Sequence, residues 1–324
     1  MPLFGAQADM PGGVAPGMIF AYNDTSLVSK QSIRGTKEMM ENPIGVFASI
    51  DAGYGVPLEV VKELGIKTIQ LHTPTKASRT DENAQAFLKK LQEYGITVTT
   101  VFLGFEGETY ESIARTAETV GLVPEKTRAE RLAESYEISD FAAKLAPVMS
   151  KPAAIGSHIG FVPHDRTSPE YKSIVETTQT LCDYLTKHEQ TLHLETGQEP
   201  VDLLMAFMDD VARPNIFINF DPANLILYGI GNPLGALRTV ASRIRGVHCK
   251  DATATTGTPG VDWGCEVPFG TGQVDAEQYL RILHEIGYKG PLTIERELSS
   301  EPERQKAEIS QAVRLIEELK AKIG

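Results

Sequence analysis

The stretch TLHLETGQEPVDLLMAFMDDVARPNIFINFDPANLILYG, residues 191–229, runs strand, helix, strand, and both strands end on a carboxylate. TLHLE at 191–195 and IFINFD at 216–221 show the period of two that a strand imposes on its side chains. In the first, Thr191, His193 and Glu195 share one face and Leu192 and Leu194 the other; in the second, Phe217, Asn219 and Asp221 oppose Ile216, Ile218 and Phe220. An apolar face suits packing beneath helices. The polar face is then left for an interior, which a closed barrel of strands provides.

The same unit recurs on either side. Strand patterns occur at 44–50, 67–72, 96–103, 153–159, 244–250 and 291–295, which with the two above makes eight. Amphipathic stretches such as ENAQAFLKKLQEYG and DAEQYLRILHEIG lie between them. In the closing stretch, Ile309, Ala312, Val313, Ile316 and Leu319 fall on one helical face. Glycine ends several helices, in ELGI, EYGI and EIGY, as a left-handed cap does. The expectation is an α/β protein, a single-domain (β/α)8 TIM barrel over 44–324 preceded by an N-terminal extension, residues 1–43, without sustained period. No phosphate-cradling GxGxxG or Walker loop follows a strand.

Composition narrows the function. The formal charge is −12, with no basic run to track a polyanion, so nucleic acid is not an expected partner. Three cysteines, Cys182, Cys249 and Cys265, lack metal-type spacing and read as reduced thiols of a cytoplasmic protein. No apolar run approaches the roughly 18 residues of a membrane span, and no membrane association is expected. A homo-oligomer stays open.

A barrel of this kind works at the carboxyl ends of its strands. Those ends carry His72, His158, Glu195, Asp221, His248 with Lys250, and Glu295. By alternation Gly246, His248 and Lys250 share a face, as do Thr293, Glu295 and Glu297, so Glu195, Asp221, His248 and Glu295 converge. Three buried carboxylates and an imidazole repel one another without a cation. One divalent metal ion resolves this, and oxygen-rich ligation with a single His suits Mn²⁺, Mg²⁺ or Co²⁺, with Zn²⁺ a further option. Taken singly, Asp221 before Pro222 also reads as a helix N-cap, and His248 as a hydrogen-bonded core residue.

In the segments LHLETGQE, INFDPANLILYG, GVHCKDA and VPFGTGQVD…GYKGPLTIERE, the chain resembles the sugar isomerase/epimerase superfamily of xylose-isomerase-like barrels, which also includes endonuclease IV. The resemblance covers about residues 44–322. It implies that Glu195, Asp221, His248 and Glu295 hold one divalent metal, and that Glu195 and Glu295 double as acid and base on opposite faces of a sugar. The endonuclease branch needs additional histidines, one of them where this chain has Asn224, so DNA repair is disfavoured. That same position contacts substrate in many ketose epimerases, which makes Asn224 a candidate contact of altered chemistry.

The expected reaction is proton removal beside a carbonyl through an enediolate, as in an isomerase or epimerase of a small-molecule sugar. A lyase or dehydratase acting on a keto-sugar or glycoside begins with the same step and is the alternative. A non-catalytic sugar-binding subunit is the third reading. Further candidate substrate contacts are His72 and His158, Glu199 in the loop after Glu195, and Trp263 in a Gly-rich loop. Lys250 reads either as a substrate contact or as an ion pair with Asp251 or Glu297.

Overall fold

The computed structural model describes residues 40–324, so the extension expected at 1–43 lies outside the described residues as far as position 39. The chain runs β1 (Ile44–Ala48), α1 (Leu58–Glu63), β2 (Thr68–His72), α2 (Asp81–Tyr94), β3 (Thr97–Phe102), α3 (Ile113–Thr119) and α4 (Glu125–Lys144). It continues through β4 (Met149–Ser157), α5 (Pro169–Leu185), β5 (Gln190–Glu195), α6 (Val201–Val211), β6 (Ile216–Phe220), α7 (Pro222–Leu227), α8 (Pro233–Val240) and β7 (Ile244–Cys249). It ends with β8 (Asp251–Thr253), β9 (Cys265–Val267), α9 (Ala276–Glu285), β10 (Leu292–Ile294) and α10 (Pro302–Ile323).

Eight of these strands close into a parallel barrel in the order β1, β10, β7, β6, β5, β4, β3, β2. The seam pairs Ile44 with Leu292 and Gly45 with Thr293. The alternation read from the sequence is realised: Leu192, Leu194, Ile216, Ile218 and Phe220 are fully buried in the apolar core. Adjacent pairings set Glu195 beside Asn219, Asn219 beside Gly246, and His248 beside Thr293, which brings successive strand ends to one level. Gly65, Gly95 and Gly287 carry the positive φ (70°, 62° and 73°) that lets each close a helix and start the next strand.

Five elements depart from the sequence reading. α3, α7 and α8 are too short for a helical period to accumulate, and each is started by a side-chain cap instead: Ser112, Asp221 and Asn232 accept backbone N–H groups of the first turn. The Gly-rich loop after β7 holds a small antiparallel pair, β8 with β9, of three residues each. Among the described residues no helix is long and apolar enough to cross a membrane.

Candidate metal and active site

Glu195 closes β5, Asp221 follows β6, His248 lies near the end of β7, and Glu295 follows β10. One ligand atom from each lies within 4.8 Å of all the others. His248 Nδ1 is 2.9 Å from Glu195 Oε1, 3.1 Å from Asp221 Oδ2 and 3.1 Å from Glu295 Oε2. The other ring nitrogen, Nε2, is 2.6 Å from Gln70 Oε1. Gln70 Nε2 in turn donates to Asn219 Oδ1 at 2.8 Å, which orients the amide with its oxygen toward the ring. Asn219 Nδ2 stands 3.1 Å from the same ring nitrogen, so the two amides hold the ring from behind and turn Nδ1 toward the carboxylates, the arrangement in which further partners fix a ligating imidazole. Phe47 and Phe102 pack against the ring at 5.9 and 5.8 Å between centroids.

Asp221 divides its two oxygens. Oδ1 accepts from Ala223 and Asn224 N–H at 2.8 and 3.0 Å and so caps α7, while Oδ2 faces His248. The N-cap reading of this residue holds, and it leaves Oδ2 to face the other three groups. Thr196 fixes the turn from beneath, its hydroxyl donating to Asp221 O at 2.9 Å and accepting from Asp221 N–H at 2.8 Å.

The electrostatics follow from burial. Burial pushes the Glu195 carboxyl up, but His158 and His248 outweigh it and hold the group well below the usual carboxylate range. His248 is held well above its ordinary value against burial by Glu295 and Glu195. Burial lowers Lys250 too, yet Glu295 and Glu297 keep it well above the normal lysine range. Three carboxylates aimed at one point and a single imidazole nitrogen make a donor set that fits a hard or borderline divalent cation.

Around the tetrad, His158 Nε2 lies 2.7 Å from Glu195 Oε2, and its Nδ1 meets the Gln198 amide. Asn224 Nδ2 donates to Glu195 Oε1 at 3.3 Å and to Thr196 O at 3.2 Å. Lys250 donates to Glu295 Oε2 at 3.1 Å and to Glu297, so the ion-pair reading describes it, with Glu297 rather than Asp251. Asp251 instead accepts from the N–H groups of Ala252, Gly270, Gly272 and Val274 and ties down the loop.

A cavity of about 640 Å³ opens at these strand ends, and Glu195, Glu295, His72, His158, Asn224 and Trp263 are on its wall. Glu199 and Lys250 lie behind that wall. Glu199 accepts from Val162 N–H at 2.8 Å and is pushed up to about 7 by burial. His72 stacks on Tyr54 at 4.8 Å and fits because position 104 is glycine, where a Cβ would stand 2.5 Å from His72 Nε2. Trp263 packs edge-on to Tyr228 at 4.6 Å.

Gln70 is the partner of His248 that the strand-end reading passed over. Alternation places it with Thr68 and His72, so the parity test applied to β2 would have turned it inward. Tyr110 and Arg79 also line the cavity. They sit in irregular segments, where no periodicity signals direction.

The family model of xylose isomerase-like TIM barrels matches residues 58–319. Among solved structures, a xylose isomerase domain protein from Planctomyces limnophilus is 53% identical, with a TM-score of 0.83 over 87% of this chain and 98% of that one. An L-ribulose 3-epimerase is 15% identical with a TM-score of 0.63 over 87% of this chain and 95% of that one, a likeness of fold. An inosose dehydratase from Clostridium beijerinckii is 30% identical over 115 residues, which are 32% of this chain and 38% of that enzyme.

Proposed function

The chain belongs to the family of xylose isomerase-like TIM barrels, and from that premise we propose that it is a divalent-metal-dependent sugar isomerase or epimerase. The observation that carries the reading is which members of the tetrad front the cavity. Glu195 and Glu295 are on its wall, whereas Asp221 and His248 sit behind them. The two glutamates therefore have the reach to touch a substrate as well as a cation.

A cation held by the tetrad supplies Lewis-acid stabilisation of the negative charge that develops on the substrate carbonyl oxygen. One glutamate takes the proton from the carbon beside that carbonyl, and the other returns a proton. Return to the opposite face of the same carbon inverts a stereocentre; return to the neighbouring carbon, with the hydroxyl proton passing from that carbon's oxygen to the former carbonyl oxygen, moves the carbonyl. His158 and Asn224 hold Glu195, and Lys250 holds Glu295, so both carboxylates are fixed before substrate arrives. His72 and Trp263 supply a polar contact and an aromatic surface for a sugar.

A second reading has its own support in the likeness to an inosose dehydratase, whose length this chain matches over 38% only. The same base would then remove a proton and a β-hydroxyl or glycosidic oxygen would leave. Incubating the Mn²⁺- or Mg²⁺-loaded protein with ketoses, aldoses and keto-glycosides in D₂O separates the readings by proton NMR. Exchange at carbon with an inverted stereocentre or shifted carbonyl is the expected result. Exchange with loss of a group supports the dehydratase or lyase, and no exchange with any bound sugar would overturn both.

A further inference from the structure

The small β8–β9 pair inserted after β7 brings a carboxylate to the cavity. Its pairing sets Ala252 opposite Glu266, and Glu266 stands with Trp263 and Gly264 of the same insertion on the wall that Glu195 and Glu295 also form. The Glu266 side chain is only 14% exposed. A carboxylate so placed gives up much of its hydration, and that loss is costly unless other partners replace the water.

Only one of its two oxygens has such partners. Oε1 lies 2.7 Å from Arg296 Nη1 and accepts from Glu297 N–H at 3.1 Å. Arg296 is held in turn by Glu308 of α10, to which its Nε donates at 2.6 Å. The carboxylate is thus anchored from β8, from the segment after β10 and from the closing helix. Oε2 has no hydrogen-bond partner among the described residues and keeps accessible surface. An acceptor fixed in place before a ligand arrives costs little to engage, so a donor on a molecule in the cavity completes it.

Position and charge say what that donor is. Glu297, whose N–H Glu266 holds, lies two residues beyond Glu295, and Lys250 joins the carboxylates of Glu295 and Glu297. Glu266 therefore sits on the Glu295 side of the cavity. Arg296 and Lys250 both act on Glu266 from that side, so an ammonium group arriving there would meet two cations. A neutral hydroxyl meets no such opposition.

We propose that Glu266 is a specificity-determining contact: its Oε2 accepts a hydrogen bond from one substrate hydroxyl on the Glu295 side, and so selects sugars that carry this hydroxyl over those that lack it. The inference rests on the sugar reading above and adds a residue and a rule of selection. Burial pushes the Glu266 carboxyl up to about 7, so binding is measured at pH 8.5, where the group is ionised. The Mg²⁺-loaded protein is followed by calorimetry and by the fluorescence of Trp263, the single tryptophan of the chain. The probes are D-fructose, D-tagatose, D-psicose and D-sorbose, and the monodeoxy derivatives of whichever binds most tightly.

In the native protein one monodeoxy derivative is expected to bind about tenfold or more weakly than its parent sugar, the scale of one hydrogen bond to a charged group. In Glu266→Gln the amide oxygen can keep Arg296 while its NH₂ presents a donor where Oε2 stood, and the ratio for that derivative should collapse toward one. Glu266→Asp, which keeps the charge but draws the oxygens back by one carbon, should lower the same ratio and serves if the Gln variant does not fold. A role confined to holding Arg296 would weaken parent and derivatives alike. Ratios that survive both substitutions, or a native protein that binds every derivative as well as the parent, would overturn the inference and leave the sugar reading standing. Failure of the native protein to bind any of the ketohexoses would overturn the sugar reading, and this inference with it.

Discussion

Glu295 and Glu297 look interchangeable in TIERE, and the structure separates them by what each faces. Glu295 Oε2 is 3.1 Å from His248 Nδ1, whereas Glu297 reaches only Lys250 and has a side chain 53% exposed. Glu295→Gln should lower turnover by about a hundredfold or more, as expected on losing an acid/base group, and should reduce bound metal by elemental analysis. Glu297→Gln should keep its metal, and a metal-free Glu297→Gln protein would contradict the assignment. Glu199 makes a different prediction. Burial raises its carboxyl from the ordinary 4.5 to about 7, so the folded chain holds this proton more tightly than the unfolded chain. Its contribution to stability is present below the ordinary value and is lost as the pH climbs through that window. Glu199→Gln should therefore be more stable than the native chain near pH 8, by on the order of 2–3 kcal/mol, with the gap closing near pH 4. Urea denaturation at both pH values checks this, and a gap of equal size at both would refute it.

At the scale of the element, the junction of β6 and α7 joins folding to chemistry through Asp221. One oxygen caps the helix and the other faces His248. Asn keeps a capping oxygen, and Ala does not. Asp221→Ala should be less stable than Asp221→Asn by about 1 kcal/mol, within the range for losing an N-cap, while both should lose the metal. Equal melting of the two variants would show that the cap is idle. This junction also shows where the sequence was legible. Seven of the eight barrel strands have five residues or more, enough for alternation to set a face, as Leu192, Leu194 and Glu195 do in β5, and the three-residue β10 was read with its flanks as PLTIE. α7 was hidden by its length, six residues after a proline, and the strands β8 and β9 by theirs. The support under His248 was half visible, since parity turns both Asn219 and Gln70 inward but their meeting, 149 residues apart in sequence, comes only from closing the barrel.

For the whole molecule, the closed sheet places four candidate ligand atoms from four strand ends around one point. A cation bound at that point draws on the folded barrel alone, so binding and global stability are linked. Adding Mn²⁺ or Mg²⁺ at 100 times its Kd should raise the unfolding free energy by about 2.7 kcal/mol, seen as a higher Tm that EDTA reverses. His248→Asn should remove the shift; a shift that persists in that variant would place the ion elsewhere. Charge neutrality inside the barrel was open to reading in advance because carboxylates in an apolar sheet must be balanced. The size of the cavity was not, because Arg79, Tyr110 and the α4 wall converge through irregular segments.

The seam between β1 and β10 bears on how such a chain is made. Synthesis delivers Glu195, Asp221 and His248 in turn, but Glu295 arrives just behind the three residues, Leu292–Ile294, that seal the sheet against Ile44–Val46. The last member of the tetrad and the last hydrogen-bonded edge are thus supplied by the same few residues. A growing chain on the ribosome cannot assemble the full tetrad before its sheet is ready to close, so a site that needs all four groups forms only with the finished barrel.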